Sequence, residues 1–275
     1  MILAIDVGNT NIVLGCIEEG NILNIVRIQT NDRCSAVEYA IKLKDILNLY
    51  DIDPKGFDGA IISSVVPPLT NALQEAVMLL TGVKSVIVGP GMKTGMNVRI
   101  DDPGTLAGDL VVGSVAAMNC YGTPCIVLDM GTATTMVVID DKGCYLGGAI
   151  LAGVKLSLSA LAAGTSLLPD ISISAPKKAI ATNTVDSMRS GAVFGTAAMI
   201  DGMIERMEEE LGYQCKIIAT GGLAPFITPL CKREIICDDD LLLKGLWILY
   251  QKNKKENAQQ PPIRAAVFAF ALMFT

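Results

Sequence analysis

The chain has 275 residues, enough for two domains of ordinary size; 51% of them are hydrophobic and only 18% charged, which excludes a largely disordered polypeptide. With 22 Lys and Arg against 28 Asp and Glu the net charge is −6, and the basic residues are scattered, so nucleic acid is not an expected partner. There is no histidine, which removes the commonest metal ligand and general base and leaves acid-base chemistry to Asp, Glu, Lys, Tyr or Cys.

Eight cysteines form no C-x-x-C pair, and Asp6 comes too early for a secretory signal, so reduced thiols in a cytoplasmic protein are expected. The uncharged run from Leu110 to Leu128 imitates a membrane span. Asn119 and the turn signal YGTP cut it into a helix and a strand, so no membrane is expected either.

In chain order, residues 2–7, 11–18 and 22–29 read as three short strands of an antiparallel meander. Helical periodicity follows at 36–49, 68–80 and 104–119, interleaved with the strands DGAIISSV and SVIVG. The pattern then restarts at Pro124 with strand, glycine turn, strand, charged turn and strand. Asp129 lies 123 positions after Asp6, Gly131 the same distance after Gly8, and DKG (141–143) the same distance after EEG (18–20). Two turns in register mark an internal repeat at the scale of a domain.

The second half continues with helices at 153–163 and 184–211, a strand CKIIAT, a loop GGLAP and a helix at 240–253. Asn183 or Thr184 is placed to cap the long helix, Ile200, Met203, Met207 and Leu211 form its apolar stripe, and Gly212 ends it. The expected architecture is α/β: two duplicated ribonuclease H-like lobes, 1–118 and 119–254, with mixed sheets flanked by helices. A polar linker and a short apolar tail fill 255–275.

Each lobe opens on an Asp-x-Gly turn. Gly8 and Gly131 let the backbone approach a bound group, and Asn9, Thr10, Thr132 and Thr134 offer small donors for phosphate oxygens. Asp6 and Asp129 cannot face bare phosphate, so a cation between carboxylate and phosphate is implied. One such turn alone is as well explained by a hairpin whose Asp caps it; the pair in register points to a nucleotide cleft. The loop ATGGLA (219–224) suits an adenine or ribose, or else is a plain strand-to-helix turn. Within the long glycine-rich segment 89–109, Asp109 is a candidate base for a substrate hydroxyl, against the plainer alternative of a solvated or capping carboxylate.

The segments DVGNTN, SSVVPPL, GPGMKTG, DMGTATT, YLGGAI, TNTVDSMRSG, ATGGLAP and LKGLWILYQKN, in this order over about residues 1–254, together resemble the type III pantothenate kinases. The resemblance implies the fold shared by actin, Hsp70, hexokinase and acetate kinase, a homodimer, and transfer of the ATP γ-phosphate to pantothenate, the first step toward coenzyme A. It implies that Asp6, Val7, Gly8, Asn9, Thr10, Asn11, Ile12 and Val13 hold the ATP phosphates with Mg²⁺, assisted by Thr132, and that Asp129 binds a monovalent cation, K⁺ or NH4⁺. It further implies that Ala107, Gly108, Asp109 and Leu110 lie along pantothenate with Asp109 as proton acceptor, and that Thr184 reaches the substrate from the partner subunit.

Two positions depart from the family pattern: Ile100 replaces the usual tyrosine, and Leu110 the usual arginine. A leucine supplies none of the charge-assisted contacts of an arginine, each worth about 1.5–3 kcal/mol. Two further readings are therefore open on the residues alone: a nucleotide-binding regulator of the same fold, and a kinase for another hydroxylated acid.

Overall fold

The structure is a computed structural model and describes residues 1–257. Strands β1 (Ile2–Val7), β2 (Asn11–Glu18) and β3 (Asn21–Gln29) form the expected meander. Helix α1 (Ala36–Leu49), strand β4 (Gly59–Ser64), helix α2 (Pro67–Thr81) and strand β5 (Ser85–Ile87) complete a sheet of order β3-β2-β1-β4-β5. Ser35 and Glu38 build a reciprocal cap at the start of α1, and Gly82, in the left-handed region at φ 80°, ends α2.

After a two-residue strand β6 (Asn97–Val98) and helix α3 (Gly108–Tyr121), the meander recurs as β7 (Cys125–Met130), β8 (Ala133–Ile139) and β9 (Cys144–Ala152). Helices α4 (Val154–Gly164) and α5 (Thr184–Leu211) follow, then β10 (Lys216–Thr220), the short α6 (Ala224–Ile227), β11 (Ile236–Cys237) and α7 (Leu241–Asn257). The second sheet runs β11-β10-β7-β8-β9-β6. Apart from β6 on its edge, it repeats the first sheet strand for strand, so the periodicity seen in the sequence is a repeat of topology.

Strand β1 is buried on both faces because each face is covered by helix. Leu3, Ile5 and Val7 pack with Tyr39, Leu43, Leu69 and Leu73 of α1 and α2. Ile2 and Ala4 pack with Val112 and Val115 of α3 and Leu243, Leu246 and Leu249 of α7. Helix α3 also turns Ala116 and Ala117 to the second sheet, beside Cys125, Val127 and Ile218. A helix that serves two sheets must be apolar all round, which accounts for the uncharged run starting at Leu110. Among the described residues no helix is long and apolar enough to cross a membrane.

Helix α7 comes from the second half of the chain yet closes the first sheet. It crosses α3 so tightly that a Cβ on Gly245 would fall on the Val112 carbonyl. Just before α7, the buried Asp238 accepts hydrogen bonds from the Tyr121 hydroxyl and Lys244 Nζ, both at 2.7 Å. The charged cluster ties the end of α3 to the start of α7.

Three boundaries differ from the sequence reading. The helix expected from 104 begins at Gly108, because Pro103–Thr105 forms a separate 3-10 turn whose Gly104 N–H is capped by Asp102. The segment 89–109 is not all loop: β6 pairs with β9, and Asn253 of α7 holds the Lys93 backbone through two hydrogen bonds of 3.0 Å. Helix α7 runs on through Asn257, and the rest of the expected linker and apolar tail lies outside the described residues.

Candidate active site

The two glycine turns lie at equivalent ends of the two meanders and are built differently. Pairing of Val7 with Ile12 leaves Gly8–Asn11 in the first turn, closed by a 2.9 Å bond from Gly8 N–H to the Asn11 carbonyl. Pairing of Met130 with Thr134 leaves Gly131–Ala133, one residue fewer, closed by a 3.0 Å bond from Gly131 N–H to the Ala133 carbonyl. Each turn is held from behind by a 3.0 Å backbone bond, Thr30 N–H to the Thr10 carbonyl and Gly153 N–H to the Thr132 carbonyl, and the Thr30 hydroxyl adds a 2.7 Å bond to the Gly8 carbonyl. The turns meet across the lobes: the Thr10 and Thr132 hydroxyl oxygens are 2.9 Å apart.

Behind these turns stand three carboxylates. Asp6, on the face of β1 that Ile2 and Ala4 turn to α3 and α7, is 8% exposed, and burial pushes its carboxyl up to about 7, with Asp109 and Asp129 adding repulsion. Asp129 is half-buried and pushed up to about 6 by burial and by Asp109. Asp109, on the first turn of α3, is raised by burial and drawn back by the Leu110 N–H, which it accepts at 2.8 Å. A helix N-terminus favours the ionised form of a carboxylate, so Asp109 keeps its charge more easily than Asp6 does. Among the described residues no basic side chain offsets the burial of any of the three.

Sequence reasoning placed Asp6, Gly8, Asn9, Thr10, Asn11, Asp109, Asp129 and Thr132 near one another, and the turns and helix start bring them together. Val7 and Ile12 are core residues whose side chains pack under α1 and α2, so only their backbones reach the turn. Thr134, expected as a phosphate donor, is 1% exposed and alternates with Met136 and Val138 on the core face of β8; its hydroxyl is not at the cleft. Asp109 lies on the first turn of its helix rather than well inside it. Ala107, Gly108 and Leu110 are half-buried around it. Thr184 is exposed at the first residue of α5, whose cap is Asn183, accepting the Asp186 N–H at 2.9 Å; within one chain it takes no part in the contact between the turns.

The sequence reading missed three residues. Ser63 of β4 lies beside Asp6 in the sheet register, is fully buried, and lowers part of the Asp6 shift. Its signal was the polar end of an apolar strand that must lie next to β1. Gly153 packs under the second turn so closely that a Cβ would fall on the carbonyls of Gly131 and Thr132. Tyr145 is 3% exposed near Asp109, and burial together with that charge lifts its phenol to about 12. Both departures named above, Ile100 and Leu110, pack with Leu106 against the cluster that contains Tyr145, giving Asp109 an apolar neighbourhood on that side.

Among the described residues no three His, Cys, Asp or Glu side chains converge as a metal cage. A divalent ion here would take most of its ligands from phosphate and water, as Mg²⁺ commonly does, with one or two carboxylates behind it. Buried, uncompensated Asp6 and Asp129 fit that demand. A cleft of about 880 Å³ elsewhere, along α5, has two of its four acids engaged: Asp201 accepts the Lys232 and Arg233 backbone N–H groups, and Glu208 pairs with the Arg233 guanidinium.

Two sheets of repeated topology with helices between them, and paired glycine turns meeting across the lobes, define an actin-like ATPase and sugar-kinase fold. A component A of (R)-2-hydroxyglutaryl-CoA dehydratase from Acidaminococcus fermentans superposes with a TM-score of 0.54 at 14% identity, over 94% of this chain and 99% of that one. A candidate 2-dehydro-3-deoxygalactonokinase from Sinorhizobium meliloti gives 0.57 at 14% identity, over 91% and 96%. Within that class the sequence is more specific: the family model of type III pantothenate kinase matches residues 2–206. A type III pantothenate kinase of Halalkalibacterium halodurans is 41% identical over 253 residues, 92% of this chain and 100% of the relative. The chain belongs to the type III pantothenate kinase family.

Proposed function

We propose that this protein transfers the γ-phosphate of ATP to the primary hydroxyl of pantothenate, giving 4'-phosphopantothenate and ADP at the first step of coenzyme A biosynthesis. The observation that carries the reading is the convergence of the two glycine turns, joined at Thr10 and Thr132, on the carboxylates Asp6, Asp109 and Asp129. In this reading Asn9, Thr10 and the Gly8–Asn11 backbone hold phosphate oxygens from one lobe and Thr132 from the other. Asp6 acts through Mg²⁺ and Asp129 through K⁺ or NH4⁺; these ions would neutralise phosphate charge and draw the two acids into their ionised forms.

Asp109 takes the proton. As the pantothenate oxygen forms its bond to the γ-phosphorus, the bond to the β-phosphate oxygen breaks, ADP leaves, and the hydroxyl proton passes to the Asp109 carboxylate. The Leu110 N–H fixes the orientation of that carboxylate at 2.8 Å. Proton transfer comes late in such a displacement, so positioning and charge stabilisation supply most of the rate. Thr184 serves the site of a partner subunit in a homodimer, which fits its exposed place at a helix start. The eight cysteines are all free thiols, in keeping with a cytoplasmic enzyme.

The apolar wall of Ile100, Leu106 and Leu110 also favours a second reading, a kinase for a different hydroxylated acid. Incubation with ATP, Mg²⁺ and either K⁺ or Na⁺, against a panel of hydroxylated acids, separates them. Phosphopantothenate as the main product, formed faster in K⁺, supports the first reading. Faster turnover of another acid supports the second, and nucleotide binding without any product overturns both.

A further inference from the structure

Arg27 of β3 pairs with Val13 of β2, which pairs with Asp6 of β1, so the three residues form one row across the first sheet. Residues in such a row share a face, and Val13 packs on the face turned to α3 and α7, the side from which Asp6 looks into the cleft. Two strand spacings, about 10 Å, separate the backbones of Arg27 and Asp6. The exposed guanidinium does not turn back toward that carboxylate, which no basic group among the described residues relieves. It crosses to the second lobe instead: Nη1 lies 3.9 Å from where a Cβ on Gly222 would stand.

Gly222 belongs to the glycine loop that follows Thr220, and Thr220 pairs with Asp129. Arg27 therefore spans from the row of Asp6 to the loop beside Asp129, a second crossing between the lobes besides the Thr10–Thr132 contact. Its guanidinium makes no hydrogen bond or ion pair with the described residues. An arginine without a partner among the described residues, in a chain of net charge −6, keeps its five donors for a ligand. Anionic oxygens are what a guanidinium fork binds best.

We propose that Arg27 is a nucleotide-binding residue that takes triphosphate oxygens of ATP from the first lobe, between the row of Asp6 and the glycine loop at Gly222. The inference rests on the reading of the cleft as an ATP site. Calorimetric titration of ATP with Mg²⁺ into the wild-type protein, Arg27→Ala and Arg27→Lys, at low and high salt, tests it. Arg27→Ala is expected to weaken ATP about tenfold or more and to flatten the salt dependence, with Arg27→Lys recovering part of both. The KM for pantothenate stays within twofold. ATP affinity within twofold of wild type in Arg27→Ala, or a loss with undiminished salt dependence, overturns the proposal. Failure of the wild-type protein to bind ATP would instead sink the reading of the cleft itself.

Discussion

The first glycine turn and the second occupy equivalent places in duplicated meanders, yet they are not copies. The first carries one more residue, presents Asn9 and Thr10, and is tied to its own sheet at Thr30 through both the backbone N–H and the hydroxyl. The second is shorter, presents Thr132, and is tied by backbone to the entrance of α4 at Gly153. Their carboxylates differ too: Asp6 is sealed beside Ser63, whereas Asp129 is half-buried. Duplication supplied two glycine turns, and under the proposed function a one-residue difference with unequal burial would let them take unequal work: a broad grip on phosphate on one side, a single hydroxyl and a less buried carboxylate on the other.

The largest effect should come from outside the two turns. Asp109 belongs to the first turn of α3, and Asp109→Asn keeps its shape while removing the proposed proton acceptor. We expect kcat to fall by about 10²–10⁴ with ATP affinity unchanged within twofold. Near wild-type turnover in steady-state assays would remove Asp109 from the proton path and return the catalytic burden to the turns.

A second test addresses the unequal carboxylates. Asp6 titrates near 7 and Asp129 near 6 in the folded chain, both above the ordinary value of 3.8. The folded state therefore holds these protons more tightly than the unfolded state. Their favourable contribution is full below the unfolded value and is lost as pH rises through the folded values, up to about 7. Without ligands the protein should be less stable at pH 8 than at pH 5, and Asp6→Asn should recover about 2–4 kcal/mol at pH 8, more than Asp129→Asn. Denaturant melts at both pH values check this; equal recovery by the two variants would mean that the two sites are buried alike.

Leu110→Arg probes the acceptor side. A guanidinium restored beside Asp109 should tighten pantothenate by about 1.5–3 kcal/mol if the apolar wall is what weakens the grip on its polar end. The measurement is KM for pantothenate with kcat held in view, and an unchanged KM would place the polar end of the substrate elsewhere.

Most of the fold was legible because its signals are local and repeated. Alternation set β1 to β3, Gly212 and Asn183 bounded α5, and the 123-residue spacing of Asp6 and Asp129 gave the duplication. What escaped was three-dimensional. Nothing in the sequence near Gly153 says that the Thr132 carbonyl lies against it. Nothing near Leu241 says that α7 will cover the opposite lobe. Thr134 misled because in a two-residue alternation its neighbour Thr135, not Thr134, shares the face of Asp129. Asp109 was found as a residue but misplaced on its helix, because a proline and Asp102 end the preceding turn before the helix begins.

The smallest predicted effect compares the supports of the two turns directly. A Cβ on Gly8 would stand 3.1 Å from the Asn11 carbonyl, a crowding that a four-residue turn relieves by shifting a few tenths of an ångström. On Gly153 a Cβ would coincide with two carbonyls of the shorter turn, which is fixed by strand pairing on both sides and by the start of α4. Gly153→Ala should thus cost about 1–3 kcal/mol of stability and weaken ATP, because the second turn must move away from the first. Gly8→Ala should cost less than about 1 kcal/mol in the same denaturant melts. If the order is reversed, the first turn is the rigid one, and the extra residue serves to hold phosphate tightly rather than to let the turn adapt to it.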